Sequence, residues 1–199
     1  FNGIALEATR FDTCLLMGAT FARMDLRQCS FHDCDLSGAA LDGATLDGVD
    51  CEGASFGSAR LSGASMARLR ARHADFTAAV LDSADLREAD LRAARFDQAV
   101  LSSARLSGAH LERAELKGTT CSSTTWVGAN LRYADLSHAD LTGADFSHAD
   151  LQQARLHRVR DERAVWIGAN RQRIEGTDPE LMRAEDFVPT APRAPRGTP

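Results

Sequence analysis

Large apolar residues return at every fifth position along almost the whole chain. Phe31, Leu36, Leu41 and Leu46 open one unbroken run, and Phe76, Leu81, Leu86, Leu91, Phe96 and Leu101 another. The series starts at Phe1 and holds to Leu156 without an inserted or deleted residue. Two positions before each large residue stands a small one, usually alanine, as in Ala74, Ala79, Ala84 and Ala89. The residue between the two is often aspartate, as in Ala134, Asp135 and Leu136. A period of five fits neither common element. On an α-helix each step of five turns a side chain by roughly 140°, which scatters the large residues around the surface. On a flat strand a step of five alternates faces. The pattern is consistent only if each five residues form one equal side of a closed coil, with the small and the large residue both turned inward.

Charge fixes the number of sides. Residues one coil apart lie roughly 4.8 Å from each other, where opposite charges are favoured and like charges are not. At a spacing of 20 residues the sequence offers fourteen opposite pairs and two like pairs. Examples are Glu7 with Arg27, Asp50 with Arg70, Glu52 with Arg72, Arg68 with Glu88, Asp75 with Arg95, Arg92 with Glu112 and Asp140 with Arg160. At a spacing of 15 the count is eight against seven. The column Phe56, Phe76 and Phe96 repeats at 20 as well. Four sides are therefore predicted, in about eight coils that rise roughly 40 Å.

Tandem units of the form Ala, Asp or Asn, Leu and two variable residues resemble the bacterial pentapeptide-repeat family, from residue 1 to about residue 156, with one weaker unit at 164–168. The resemblance implies an all-β fold, a right-handed quadrilateral β-helix. It also implies two roles. Some members of the family resemble B-DNA in shape and charge and bind DNA gyrase, protecting it from quinolones or toxins. Others are modules of larger bacterial proteins, some associated with type VI secretion, that bind or adapt.

The repeat weakens at 157–161, where Asp161 takes an inward position. The expected division is a β-helix over 1–160, a cap with a short helix over 161–187 and a Pro-rich tail over 188–199. Trp166 is expected to close the last coil. Thr177 or Asp178 reads as an N-cap ahead of Pro179, and Leu181, Met182 and Phe187 are expected to pack back on the coil end. The N-terminal end shows no capping helix, and an open coil edge invites pairing. A preceding segment or a second subunit is expected there.

The remaining chemistry is thin. With aromatics at 6% and a net charge of −5, the composition suits a repeat with small inward side chains rather than a globular core. No run of 18 apolar residues exists, so no membrane partner is expected, and no secretory signal is visible. Cys14, Cys29 and Cys34 take the small inward position and Cys51 and Cys121 the large one, which reads as packing. No spacing of Cys and His suits a metal. His138 and His148 sit outward in Ser-His-Ala-Asp units, and outward residues in a row do not converge on a substrate. Neither a catalytic residue nor a cofactor is predicted, and no concave pocket is expected on such a rod. Arg68, Arg70 and Arg72 have acids in the neighbouring columns, and the net charge is negative, so no nucleic acid is expected either.

Two acidic features remain. Asp33, Asp35, Asp42, Asp47, Asp50 and Glu52 form a zone without Lys or Arg between Arg27 and Arg60, a candidate partner patch. Asp135, Asp140, Asp145 and Asp150 form a ring, one on each side of a coil, and read as turn support. The function expected is a non-catalytic scaffold or adaptor for a protein partner in a bacterial cytoplasm, with self-association through the open coil end. The alternative is a DNA mimic that binds gyrase.

Overall fold

The computed structural model describes residue 6 and residues 8–186. The chain winds as a right-handed, four-sided β-helix. Parallel bridges join each outward residue to the one 20 positions on, from Arg10 with Ser30 to Arg155 with Glu175. The twenty-residue coil read from charge is thus the coil that forms. It also runs past residue 160, because Asp145 bridges Val165 and Asp150 bridges Asn170.

Backbone hydrogen bonds explain the motif. In each side the large inward residue donates to the next coil, as Leu41 N–H does to the Arg60 carbonyl at 2.7 Å. The N–H two residues later does the same, from Gly43 to Ser62 at 2.9 Å. The outward bridging residue donates to the coil before, Arg60 to Ala39 at 2.9 Å. The small inward residue closes the corner, Ala44 to Leu41 at 3.0 Å. Four N–H groups of every five are satisfied this way. The fifth belongs to the residue just after the large one, and the outward aspartate takes it: Ser37 N–H donates to Asp35 Oδ1 at 2.9 Å, and Thr77 N–H to Asp75 Oδ1 at 2.9 Å. Aspartate and asparagine recur at that position because their short side chains reach an N–H two residues on.

The corner itself is a turn with positive φ at its third residue, the type II pattern. Glycine suits it at Gly48, φ 70°. Many corners nevertheless carry a side chain there, including Tyr133 at φ 61° and Ala93 at φ 55°. The repeated ladder holds these residues where an isolated turn would select glycine.

Inside, the large and small residues are buried without exception from Leu36 to Leu156, apart from Thr119 and Thr124, which stand buried in alanine's place. Phe56, Phe76 and Phe96 stack with ring centroids 4.8 and 4.7 Å apart and planes within 5° of parallel. Trp126, Phe146 and Trp166 form a second column, at 5.6 and 4.5 Å. Trp166 is half-buried on Phe146, and the Arg171 guanidinium lies 5.2 Å from its ring centre. Asp161, in an inward register position, is exposed where the coil thins.

Among the described residues a single helix, α1, spans Pro179–Glu185. Asp178 is its N-cap and accepts from the N–H groups of Glu180 and Leu181. The expected apolar packing of α1 on the coil end is not what forms. The helix buries none of its residues and Leu181 is 48% exposed. Seven residues with so little apolar surface cannot displace water from the coil end, and α1 is held by polar contacts instead. Phe187, the Pro-rich tail and the start of the N-terminal coil edge lie outside the described residues.

Candidate functional site

The ring reads as predicted from turn chemistry. Asp135, Asp140, Asp145 and Asp150 accept the N–H groups of Ser137, Thr142, Ser147 and Gln152 at 2.9–3.1 Å. The carboxyls of Asp140 and Asp145 are held below their ordinary range, first by the side chains of Thr142 and Ser147 and then by these N–H groups. For Asp135 burial pushes upward, but Ser137 and Lys117 outweigh it and the net direction is down. Carboxylates engaged with their own backbone in this way are a poor imitation of free phosphates.

The early acidic zone is divided by the fold. Its six members fall on all four sides, because a coil carries successive five-residue units around the axis. Asp35 accepts from Ser37 N–H, and Asp47 from Ser65 Oγ and Ala67 N–H. Asp42 is ion-paired with Arg60 at 2.5 Å, and Asp50 with Arg70 at 3.2 Å. Only Asp33, Asp50 and Glu52 share a side. His32 lies between them, its Nε2 3.3 Å from Asp33 and its Nδ1 3.9 Å from Asp50. Sequence proximity suggested one patch, and the winding of the chain leaves three acids and a histidine.

Ion pairing follows the predicted columns only in part. Asp75 with Arg95, Asp85 with Arg105 and Asp140 with Arg160 pair across 20 residues. Arg27 instead turns back to Asp25 at 2.6 Å, and Arg72 reaches Asp90 at 2.7 Å rather than Glu52. A long guanidinium just past a corner lies as near to an aspartate two or eighteen residues away as to one twenty away.

The expectation of a rod without concavity does not hold beside α1. A groove of about 560 Å³ runs between the helix and the coil, lined among others by Lys117, Asp135, His138, His157, Leu181 and Glu185. His157 is 6% exposed and fastens both ends of the helix. Its Nδ1 accepts from Asp178 N–H at 3.1 Å, and its Nε2 lies 3.3 Å from Glu185 Oε2. Since Nδ1 accepts, Nε2 carries the proton and donates to Glu185. His138 Nε2 approaches the other oxygen of Glu185 at 3.4 Å, and Arg158 lies 3.4 Å from Glu185 and 2.8 Å from Asp186. Two imidazoles and a carboxylate this close resemble a metal centre. The Asp178 N–H, however, selects the tautomer of His157 whose Nε2 has no free lone pair, and Arg158 already neutralises Glu185. The cluster reads as a clamp for α1. Sequence reasoning missed it because Glu185 lies 28 residues from His157 and meets it only through the return of the chain.

All five cysteines are free, and four are buried. Burial raises the thiols of Cys29, Cys34 and Cys51, and pushes Cys121 up to about 12. Thiols so disfavoured as thiolates are core residues rather than nucleophiles. Among the described residues no helix is long and apolar enough to cross a membrane.

Comparison with known proteins agrees with this geometry. The sequence matches the family described as Pentapeptide repeats in 8 copies between residues 14 and 160. A pentapeptide repeat protein from the cyanobacterium Cyanothece is 33% identical over 46% of this chain and 63% of its own, with a TM-score of 0.45. The present chain thus spans a little under two thirds of that relative. QnrB1, a plasmid-mediated fluoroquinolone resistance protein, is 18% identical over 94% of this chain and 98% of its own, with a TM-score of 0.58. HetL, involved in heterocyst differentiation regulation in the cyanobacterium Nostoc, is 28% identical over 85% of this chain and 84% of its own, with a TM-score of 0.34. No curated protein matches the sequence.

Proposed function

This chain belongs to the pentapeptide repeat family, and we propose that it is a non-catalytic scaffold, an adaptor module of a larger bacterial protein that holds a protein partner on its flat sides in the cytoplasm. The observation that carries this reading is the assignment of its polar side chains. The aspartates that the motif repeats are spent on turn N–H groups, the thiols on the core, and His157 on fastening a helix. What is left for function is an outer surface of fixed spacing. A stiff ladder of that kind presents side chains without the ordering cost that a flexible surface meets on binding.

Photo-crosslinking residues placed at exposed positions of each side, one side at a time, test the reading in cells. The expected result is one protein captured from one or two adjacent sides. Equal labelling from all four sides would count against it. The gyrase reading is examined separately by a supercoiling assay with the purified protein. The acids lie on four sides and are largely paired with arginine or with backbone. A duplex mimic needs a continuous stripe of unpaired negative charge, so neither inhibition nor protection from a quinolone is expected. Protection would replace the scaffold reading with the activity named for QnrB1.

A further inference from the structure

One side of the rod carries, over its middle, a charge opposite to that of the chain. It is the side whose outward residues run Ser30, Asp50, Arg70, Asp90, His110, Asn130 and Asp150, each bridged to the next. Between residues 69 and 133 it presents Arg70, Arg72, Arg92, Arg113 and Arg132 against Asp90 and Glu112. Over the same stretch the other three sides together hold four Lys or Arg against six acids. The arginines have few acids to share. Arg72 and Arg92 both lean on Asp90, at 2.7 and 2.6 Å. Arg113 makes no ion pair among the described residues and lies over the ring of Tyr133 instead, its guanidinium carbon 5.7 Å from the ring centre. Arg132 stands at the same distance from that ring. Tyr133 is the only tyrosine of the chain and 44% exposed. Beside it is a hollow of about 290 Å³ lined by Arg92, Ala93, Glu112, Arg113 and Tyr133.

We propose that this side receives a short, extended, acidic segment of a partner protein, with an apolar side chain seated in the hollow and a carboxylate on either side of it. The inference rests on the scaffold reading above and names the side and the partner's chemistry. Three coil rises separate row 69–73 from row 129–133, about 14 Å. Two residues four apart in an extended chain are also about 14 Å apart and point to the same face. An acid at the first position then reaches Arg72 and Arg92, and one at the fifth reaches Arg132. The third position lies over the hollow, beside Tyr133 and Arg113. Glu112, the one acid of the hollow, stands between Arg92 and Arg132 in its column and is outnumbered. Tyrosine and arginine are residue types that carry much of the binding energy at protein contacts. Here the coil holds them in place before the partner arrives, which lowers the cost of ordering them. The patch also has ends. Asp33, Asp50 and Glu52 close it below, with no Lys or Arg in their rows, and Asp150 closes it above. A nucleic acid repeats its phosphates along its whole length and would be carried onto those carboxylates. A short acidic segment stops before them.

Five residues on one side make a contact smaller than that of stable complexes. The segment therefore binds weakly and reversibly, and its binding is sensitive to salt.

The single tyrosine gives the test a reporter at the site itself. Protein grown with fluorotyrosine carries one fluorine, whose resonance is followed while the peptide Glu-Ser-Phe-Ser-Glu, blocked at both ends, is added at about 20 mM salt. A saturable shift is expected, at least tenfold weaker in affinity at about 300 mM salt. The peptide Lys-Ser-Phe-Ser-Lys is expected to give none. Arg113→Glu reverses a charge that no ion pair holds and weakens binding at least tenfold. Ala93→Trp fills the hollow without changing charge and weakens binding at least about fivefold. The corner accepts a ring, since Tyr133 holds the same turn position at φ 61°. Ala93→Trp decides the matter if circular dichroism shows that Arg113→Glu disturbs the fold. A resonance that the glutamate peptide does not move overturns the proposal, as does a shift that both variants leave intact. An oligothymidylate that binds more tightly than the peptide also overturns it and assigns the side to nucleic acid. A protein captured in cells from another side, with Tyr133 unmoved by the peptide, would remove this inference and keep the scaffold reading. Peptide binding together with equal labelling from all four sides would do the reverse.

Discussion

At the scale of single residues, the outward aspartate of each unit matters more to the backbone than to any partner. It supplies the acceptor that the coil lacks, and it does so best when ionised. Asp25, Asp85, Asp140 and Asp145 are all held below their ordinary value of 3.8, Asp25 down to about 2 through its bonds to Arg27. A carboxyl with a depressed value in the folded state stabilises the fold fully above its unfolded value. That contribution is lost as pH falls through the folded value. Melting temperature is therefore expected to hold above about pH 4 and to drop steeply between about pH 4 and pH 2. Asp145→Asn keeps an oxygen for Ser147 N–H but cannot titrate. Its melting temperature is expected to be slightly lower at neutral pH and to fall less steeply in acid. An unchanged slope would show that these carboxylates do not govern acid stability.

At the scale of elements, the unit is the coil, and its stability comes from columns that cross coils. Phe76 is sandwiched between Phe56 and Phe96 and fully buried. Phe76→Ala leaves a cavity between two rings that the rigid ladder cannot close, at an expected cost of about 3–5 kcal/mol in chemical denaturation. A loss below about 1 kcal/mol would mean that neighbouring coils collapse onto the gap. The column was legible from the spacing of three phenylalanines. The clamp on α1 was not, since in sequence His157 is only one more outward residue at the point where the repeat weakens. Its burial depends on a helix that returns along the side of the rod. Leu181 was misjudged for the related reason that an apolar residue in a short helix says nothing about which surface the helix reaches.

At the scale of the whole molecule, stability comes from the interior rather than from surface charge. The core and the backbone ladder are indifferent to salt, and exposed ion pairs such as Arg160 with Asp140 contribute little singly. Raising salt to about 1 M reduces the screening length to about 3 Å. The expected shift in melting temperature at that salt is under about 3 °C. A large loss of thermal stability in salt would instead assign the fold itself to its surface charges. The four sides are alike in backbone and differ only in what they display.

The period of five and the preference for charge complementarity at twenty were enough to determine the coil, its four sides, its inward residues and the purpose of the aspartate ring. Both are local regularities repeated many times, and each repetition reinforces the same winding. Which outward residues become neighbours on one side, which arginine an aspartate receives, and where the terminal helix settles were decided only in three dimensions. Those outcomes depend on a few contacts between distant segments, and no periodicity in the chain encodes them.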